Sequence, residues 1–191
     1  LTKKKPYTIY VITYHYVREI SKSKYPNIKG IEIKDFESQM RFLKKNFNIL
    51  SSDEFVYILK SNSFKKKPSV LLTFDDGYKD HFKYVFPVLN KLKISGFFFP
   101  VTSTLKRNLI LNVNKIHLIL EKVFDKKKLL KRIFKEIELN TGKKPEDLKL
   151  EDLSLKSKFD DRDTVFIKRL LQFYLPKKIR EKITNKLFNE I

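Results

Sequence analysis

An α/β fold with a parallel sheet, followed by a helical segment, is what this 191-residue sequence predicts, and three observations carry that expectation. The strand-like runs are apolar from end to end, as strands buried on both faces of a parallel sheet require. They alternate with stretches of helical period at the spacing of β-α units. Beyond residue 104 the strand-like runs stop, and the apolar residues recur at three- and four-residue steps.

Tyr7 to Tyr14 is β-branched and aromatic throughout and reads as a buried strand ending at His15. From Ile33 to Asn46 the spacing of Phe36, Met40, Leu43 and Phe47 predicts an amphipathic helix, and Asn48 to Leu50 a short strand. Ser51 and Glu54 have capping-box spacing ahead of a second helix, with Phe55, Ile58 and Leu59 as its buried face. Lys65 to Pro68 reads as a polar loop and Ser69 to Phe74 as a continuous apolar strand running into Asp75-Asp76-Gly77. A helix over Lys79 to Lys93 follows, expected to bury Phe82, Val85, Phe86, Leu89 and Leu92, with Pro87 kinking it or marking its first full turn. Gly96 to Thr102 is the next expected strand, making about four parallel strands in all. Helices are then expected over Asn112–Val123, Lys126–Leu139, Thr164–Leu175 and Pro176–Phe188, with a polar connector from Asn140 to Asp163. This places a boundary near residue 105: residues 1–104 form the α/β unit and residues 105–191 the helical segment.

Composition narrows the function classes. No stretch approaches the roughly 20 apolar residues that span a bilayer, so no transmembrane segment is expected. Lys3 to Lys5 ahead of an apolar run resembles a signal peptide only faintly, since no small-residue cleavage site follows. The first residue is Leu, which leaves the natural N-terminus and any export signal open. With no cysteine there are no disulfides or thiolate ligands, and both the cytoplasm and the cell envelope or exterior remain open. The net charge of +20 does not argue for nucleic acid. It is spread evenly, 19 basic and 9 acidic residues before position 105 and 23 and 13 after it, so each part contributes +10. Lysine outnumbers arginine 35 to 7, whereas base-reading and bidentate phosphate contacts favour arginine. The reading is a biased solvated surface, with attraction to an anionic polymer or membrane surface as the alternative.

The chemistry is expected at Thr73-Phe74-Asp75-Asp76-Gly77-Tyr78. Functional groups of a parallel sheet collect at the C-terminal ends of its strands. Two adjacent carboxylates there repel each other, and a divalent cation would offset that cost, holding one as ligand and leaving the other as base. Gly77 permits a sharp turn or a close approach. The same residues are also ordinary turn and N-cap chemistry, and the pattern alone leaves both readings standing.

Together with Leu71-Leu72 before it, Pro87-Val88-Leu89 in the following helix and Gly96-Phe97-Phe98-Phe99-Pro100-Val101 after it, this pattern resembles the first motif of the polysaccharide deacetylases. That family is carbohydrate esterase family 4, with the NodB-homology fold. The resemblance implies the opening part of a deformed (β/α) barrel of the NodB type, carrying a mostly α-helical C-terminal insertion. It implies a hydrolase acting on C–N bonds other than peptide bonds, with Asp75 as general base and Asp76 as metal ligand, normally to Zn²⁺. Its substrate would be an N-acetylated polysaccharide or glycan. A histidine at a strand end is more often structural, yet Thr13-Tyr14-His15-Tyr16-Val17 resembles the Tyr-His element of the poly-N-acetylglucosamine deacetylase branch, which makes His15 the candidate general acid. His81 is expected exposed or packed locally, and His117 packed or at the surface of a helix. Asn112 to His117, with Phe166 to Gln172 and Leu175 to Arg180, resembles the helical insertion some deacetylases carry.

Part of the family's pattern is missing. The histidines stand only at 15, 81 and 117, so the paired-histidine metal motif is absent, as are the arginine-containing and Asp-Trp elements. Zinc sites use about three or four protein ligands, so the site is expected to be incomplete and the isolated chain inactive or nearly so. Truncation before the second half of the barrel is the favoured account and a degenerate homologue the alternative. A non-catalytic carbohydrate- or anionic-polymer-binding module is the competing function. A phospho-acceptor reading of Asp75 and Asp76 is disfavoured by the long helical part and the missing complementary lysine motif.

Overall fold

The computed structural model describes residues 7–61, 67–107, 109–148, 150, 157–158 and 160–191, which divide into two compact units, Leu1–Leu105 and Lys106–Ile191. Parts of the expected 65–68 loop and of the 140–163 connector lie outside the described residues.

The first unit is an α/β structure on a four-stranded, all-parallel sheet. In chain order it contains β1 (Ile9–Tyr14), α1 (Ile33–Asn46), β2 (Asn48–Ile49), α2 (Ser52–Ser61), β3 (Ser69–Asp75), α3 (Phe86–Leu92), β4 (Phe97–Phe99) and α4 (Thr102–Arg107). β3 is central. β1 pairs along it from Ile9 opposite Ser69 to Tyr14 opposite Phe74. Its other edge is shared: β2 takes Ser69 and Val70, and β4 takes Thr73 to Asp75. The sheet is open among the described residues.

Side chains alternate across a strand, and β3 sorts accordingly. Val70, Leu72 and Phe74 pack with Tyr14 of β1, Phe36, Met40 and Leu43 of α1, and Val88, Leu89 and Leu92 of α3. Leu71 points the other way, to Leu50 and Ile58, with Phe55 and Phe97 against them. Asp75 is in phase with Leu71 and Thr73, so it emerges on the face that α2 covers lower down. The capping box is present: Glu54 accepts from the Ser51 backbone N–H at 3.0 Å, and the Glu54 N–H donates to Ser51 Oγ at 3.3 Å.

Four expectations are corrected. Leu59 is 62% exposed and not part of the buried face of α2, because the ten-residue helix buries only a stripe centred on Ile58. Phe82 and Phe86 are 78% and 51% exposed rather than buried. A π turn, His81–Val85, leads into α3, and in it the Phe86 N–H bonds the His81 carbonyl. The helical run instead buries His81, Val85, Val88, Leu89 and Leu92, an i, i+4, i+7, i+8, i+11 stripe that leaves Phe82 and Phe86 off its inward face. Pro87, which has no N–H to donate to the preceding turn, lies within the continuous helical run, directly after the π turn and Phe86. The strand expected to reach Thr102 ends at Phe99; Pro100 cannot donate to a ladder, and Thr102 already opens α4. Coverage of the sheet is also uneven: β3 is buried up to Phe74, whereas Val11 and Phe99 are more than half exposed.

The second unit is helical among the described residues: α5 (Asn112–Lys122), α6 (Lys126–Thr141), α7 (Arg162–Arg169, continued by a π turn Leu170–Tyr174) and α8 (Lys177–Phe188). Its core gathers Ile116, Ile119, Ile133, Ile137, Ile167, Leu170, Ile183 and their neighbours. Asp161 caps α7 through the Thr164 N–H, and Gly142, in the left-handed conformation, ends α6. No described helix is long and apolar enough to cross a membrane.

Candidate active site

The site is built where β1 and β3 end together. Their register sets Tyr14 opposite Phe74, and the next residues, His15 and Asp75, stand side by side. His15 Nε2 lies 3.9 Å from Asp75 Oδ2, with the two side chains 48% and 38% exposed. This is an ion-pair distance rather than a direct hydrogen bond. Beneath them on the same face, Thr73 Oγ1 donates to Thr13 Oγ1 at 2.9 Å, joining the two strands side chain to side chain.

After Asp75 the chain turns through two consecutive left-handed residues, Asp76 at φ 71° and Gly77 at φ 65°. A short polar side chain tolerates that conformation and glycine adopts it freely. Gly77 is required for a second reason: a Cβ there would lie 2.8 Å from both Cα and Cβ of Pro100, just past β4. The turn separates the two carboxylates. Asp75 faces His15, while Asp76 accepts a 2.7 Å hydrogen bond from the Tyr78 hydroxyl. Burial, with hydrogen bonds to Tyr16 and Asp76, pushes the Tyr78 hydroxyl far above the usual tyrosine range, so it remains a donor.

A layer of side chains supports this turn. The Tyr16 and Tyr78 rings lie 4.6 Å apart, and the Arg18 guanidinium sits 4.9 Å from the Tyr16 centroid and forms an ion pair with Asp80. His81, expected exposed or packed locally, is buried, and its Nε2 lies 2.7 Å from the His15 carbonyl oxygen. Burial lowers its pKa, outweighing the opposite pull of that carbonyl and of Asp80 and Asp76. His117 is half-buried within α5 of the other unit. The sequence reading thus named Asp75, Asp76 and His15 but missed Tyr16, Arg18, Tyr78, Asp80 and His81. The available signal was their position, within a few residues of the named ones on both strand ends.

The described residues do not complete a set of ligands for a metal. Among the described residues no three His, Cys, Asp or Glu side chains are placed to hold an ion. Asp75 stands by His15 and Asp76 by Tyr78.

The polysaccharide deacetylase family profile matches residues 62–146, covering the turn and running on into the helical unit. Among curated proteins, the Bacillus subtilis (strain 168) protein named "Putative polysaccharide deacetylase YxkH" is 29% identical over 98 residues. That match covers 51% of this chain and 33% of the relative, so the chain spans about a third of that protein. Similar solved structures include a de-N-acetylase from Aggregatibacter actinomycetemcomitans, 25% identical, covering 54% of this chain and 42% of that one at a TM-score of 0.47. The Streptococcus pyogenes deacetylase PplD, solved with acetate, is 24% identical, with 59% and 53% covered at a TM-score of 0.48.

Proposed function

We propose, from the match of residues 62–146 to the polysaccharide deacetylase family profile, that this chain carries the acid–base half of a site that hydrolyses N-acetyl groups on an N-acetylhexosamine glycan. The observation that carries this reading is the placement of His15 Nε2 3.9 Å from Asp75 Oδ2 at the open ends of two paired strands. Asp75, half-exposed and bound to no helix terminus, accepts a proton from the attacking water. His15 delivers one to the departing amine. Contacts of this kind are often long without substrate and tighten when it binds. The turn holding Asp75 is backed by Tyr78, Tyr16 and Arg18, so the carboxylate is presented from a packed support.

Zinc is the metal that the family resemblance implies, and Asp76 is this chain's candidate ligand. Because the described residues do not assemble a site for it, its remaining ligands would have to come from elsewhere, and no step is assigned to it. The helical unit is read as an insertion within the same family domain, supported by a profile match that runs to residue 146.

The decisive experiment is acetate release from N-acetylglucosamine oligomers, by this chain and by any longer form of the protein. Asp75→Asn should lower the rate of the active form by roughly 10²- to 10⁴-fold, and His15→Ala by about 10²-fold or more. The 191-residue chain by itself should be inactive or nearly so. An Asp75→Asn protein that keeps most of its rate would sink the assignment. The shortage of metal ligands favours one second reading, a carbohydrate-binding module without turnover; oligomer binding with no acetate released by any form would establish it instead.

A further inference from the structure

His81 has no part in the acid–base pair, yet it is the best-enclosed titratable side chain near it. The ring is 3% exposed and surrounded by aromatics, with Tyr78 at 5.5 Å, Phe74 at 5.7 Å and Phe98 at 6.1 Å between centroids. His81 opens the π turn His81–Val85 and shares the inward stripe of Val85, Val88, Leu89 and Leu92. Nε2 lies 2.7 Å from the carbonyl oxygen of His15. A carbonyl only accepts, so Nε2 carries the hydrogen. Burial holds the ring neutral, and Nδ1 is then a bare lone pair with no hydrogen-bond partner among the described residues. The His15 carbonyl lies one residue past the last β1–β3 pair, where the sheet ladder no longer fixes the backbone. The next carbonyl along, that of Tyr16, is held separately by the Ile31 N–H at 2.9 Å.

We propose that His81 is the positioning residue of this site, its Nε2–H clamping the His15 carbonyl so that the strand end keeps the His15 imidazole beside Asp75. A buried neutral donor can do this without adding a charge next to an acid–base pair, which a lysine or arginine would. The functional meaning of the clamp rests on the acid–base reading of His15 and Asp75; the clamp itself does not.

The test uses the isotope-labelled chain in solution at neutral pH, with no substrate. Long-range ring correlations in the unsubstituted chain should show His81 as the Nε2–H tautomer, with a scalar coupling across the hydrogen bond to the His15 carbonyl. Asp75→Asn should shift the His15 ring signals. His81→Phe keeps the aromatic packing but removes the donor, and on that background the Asp75→Asn shift should shrink by roughly threefold or more, as coupled residues do. His81→Gln, whose amide can donate to the same carbonyl, should recover most of it. An undiminished shift in His81→Phe, or an Nδ1–H tautomer in the unsubstituted chain, overturns the proposal; if His81→Phe does not fold, the tautomer and His81→Gln decide it. Should the clamp stand while His15→Ala leaves acetate release intact, the acid role of His15 fails and the clamp survives.

Discussion

Replacing Gly77 by alanine tests the geometry on which the site depends. Two costs arise from separate causes. An alanine at φ 65° suffers the left-handed penalty of about 1–2 kcal/mol. Its Cβ would also meet Pro100 Cα and Cβ at 2.8 Å, against an ordinary carbon contact of roughly 3.5–4.0 Å. Neither Pro100 atom can rotate away, so the end of β4 must shift, at an overpacking cost of about 1–3 kcal/mol. The sum is a loss of about 2–5 kcal/mol. Gly142→Ala is the matched control: its φ is 71° but nothing lies within 4 Å of a Cβ there, so only the conformational penalty applies. Urea unfolding separates the two units. The chain has no tryptophan and eight of its nine tyrosines lie in the first unit, so tyrosine fluorescence follows Gly77→Ala while far-ultraviolet circular dichroism follows Gly142→Ala. If Gly77→Ala destabilises no more than Gly142→Ala, the close approach of the motif turn to Pro100 is wrong, and with it the backing of Asp75 and Asp76.

Two further expectations concern stability. Ile133→Ala in the helical core, where the side chain is fully buried, should cost about 2–5 kcal/mol, whereas Leu59→Ala, at a position of apparently equal helical period, should stay within about 0.5 kcal/mol; urea midpoints distinguish them. Asp161→Ala should cost about 1 kcal/mol by loss of the α7 cap, and Asp161→Asn much less. The Thr164 N–H, then its hydroxyl, holds the Asp161 carboxyl below the usual carboxylate range. A lowered folded-state pKa means that the contribution is fully present above the unfolded value, near 4, and is lost as pH falls through the folded one. Thermal unfolding between about pH 5 and pH 2 should therefore fall less steeply in Asp161→Asn than in the unsubstituted chain.

Much of the architecture was legible because its causes are local. Continuous apolar runs marked β1 and β3, and the spacing of Phe36, Met40 and Leu43 marked α1 with the bounds observed, Ile33–Asn46. Serine and glutamate three apart marked the capping box of α2. Motif and strand-end position single out Asp75, Asp76 and His15 as candidates.

What the chain's own pattern could not supply is phase and distance. Helical period allowed two neighbouring stripes between residues 81 and 92, and packing chose the one that buries His81 and leaves Phe82 and Phe86 exposed. The 3.9 Å between His15 and Asp75 joins residues 60 positions apart through the β1–β3 register, and the His81 bond to the His15 carbonyl spans 66. Local sequence determined which residues stood at the strand ends. Which of them face one another, and which buried donor holds them there, was decided by strand pairing and helix phase, because those follow from packing the whole unit rather than from any one stretch of it.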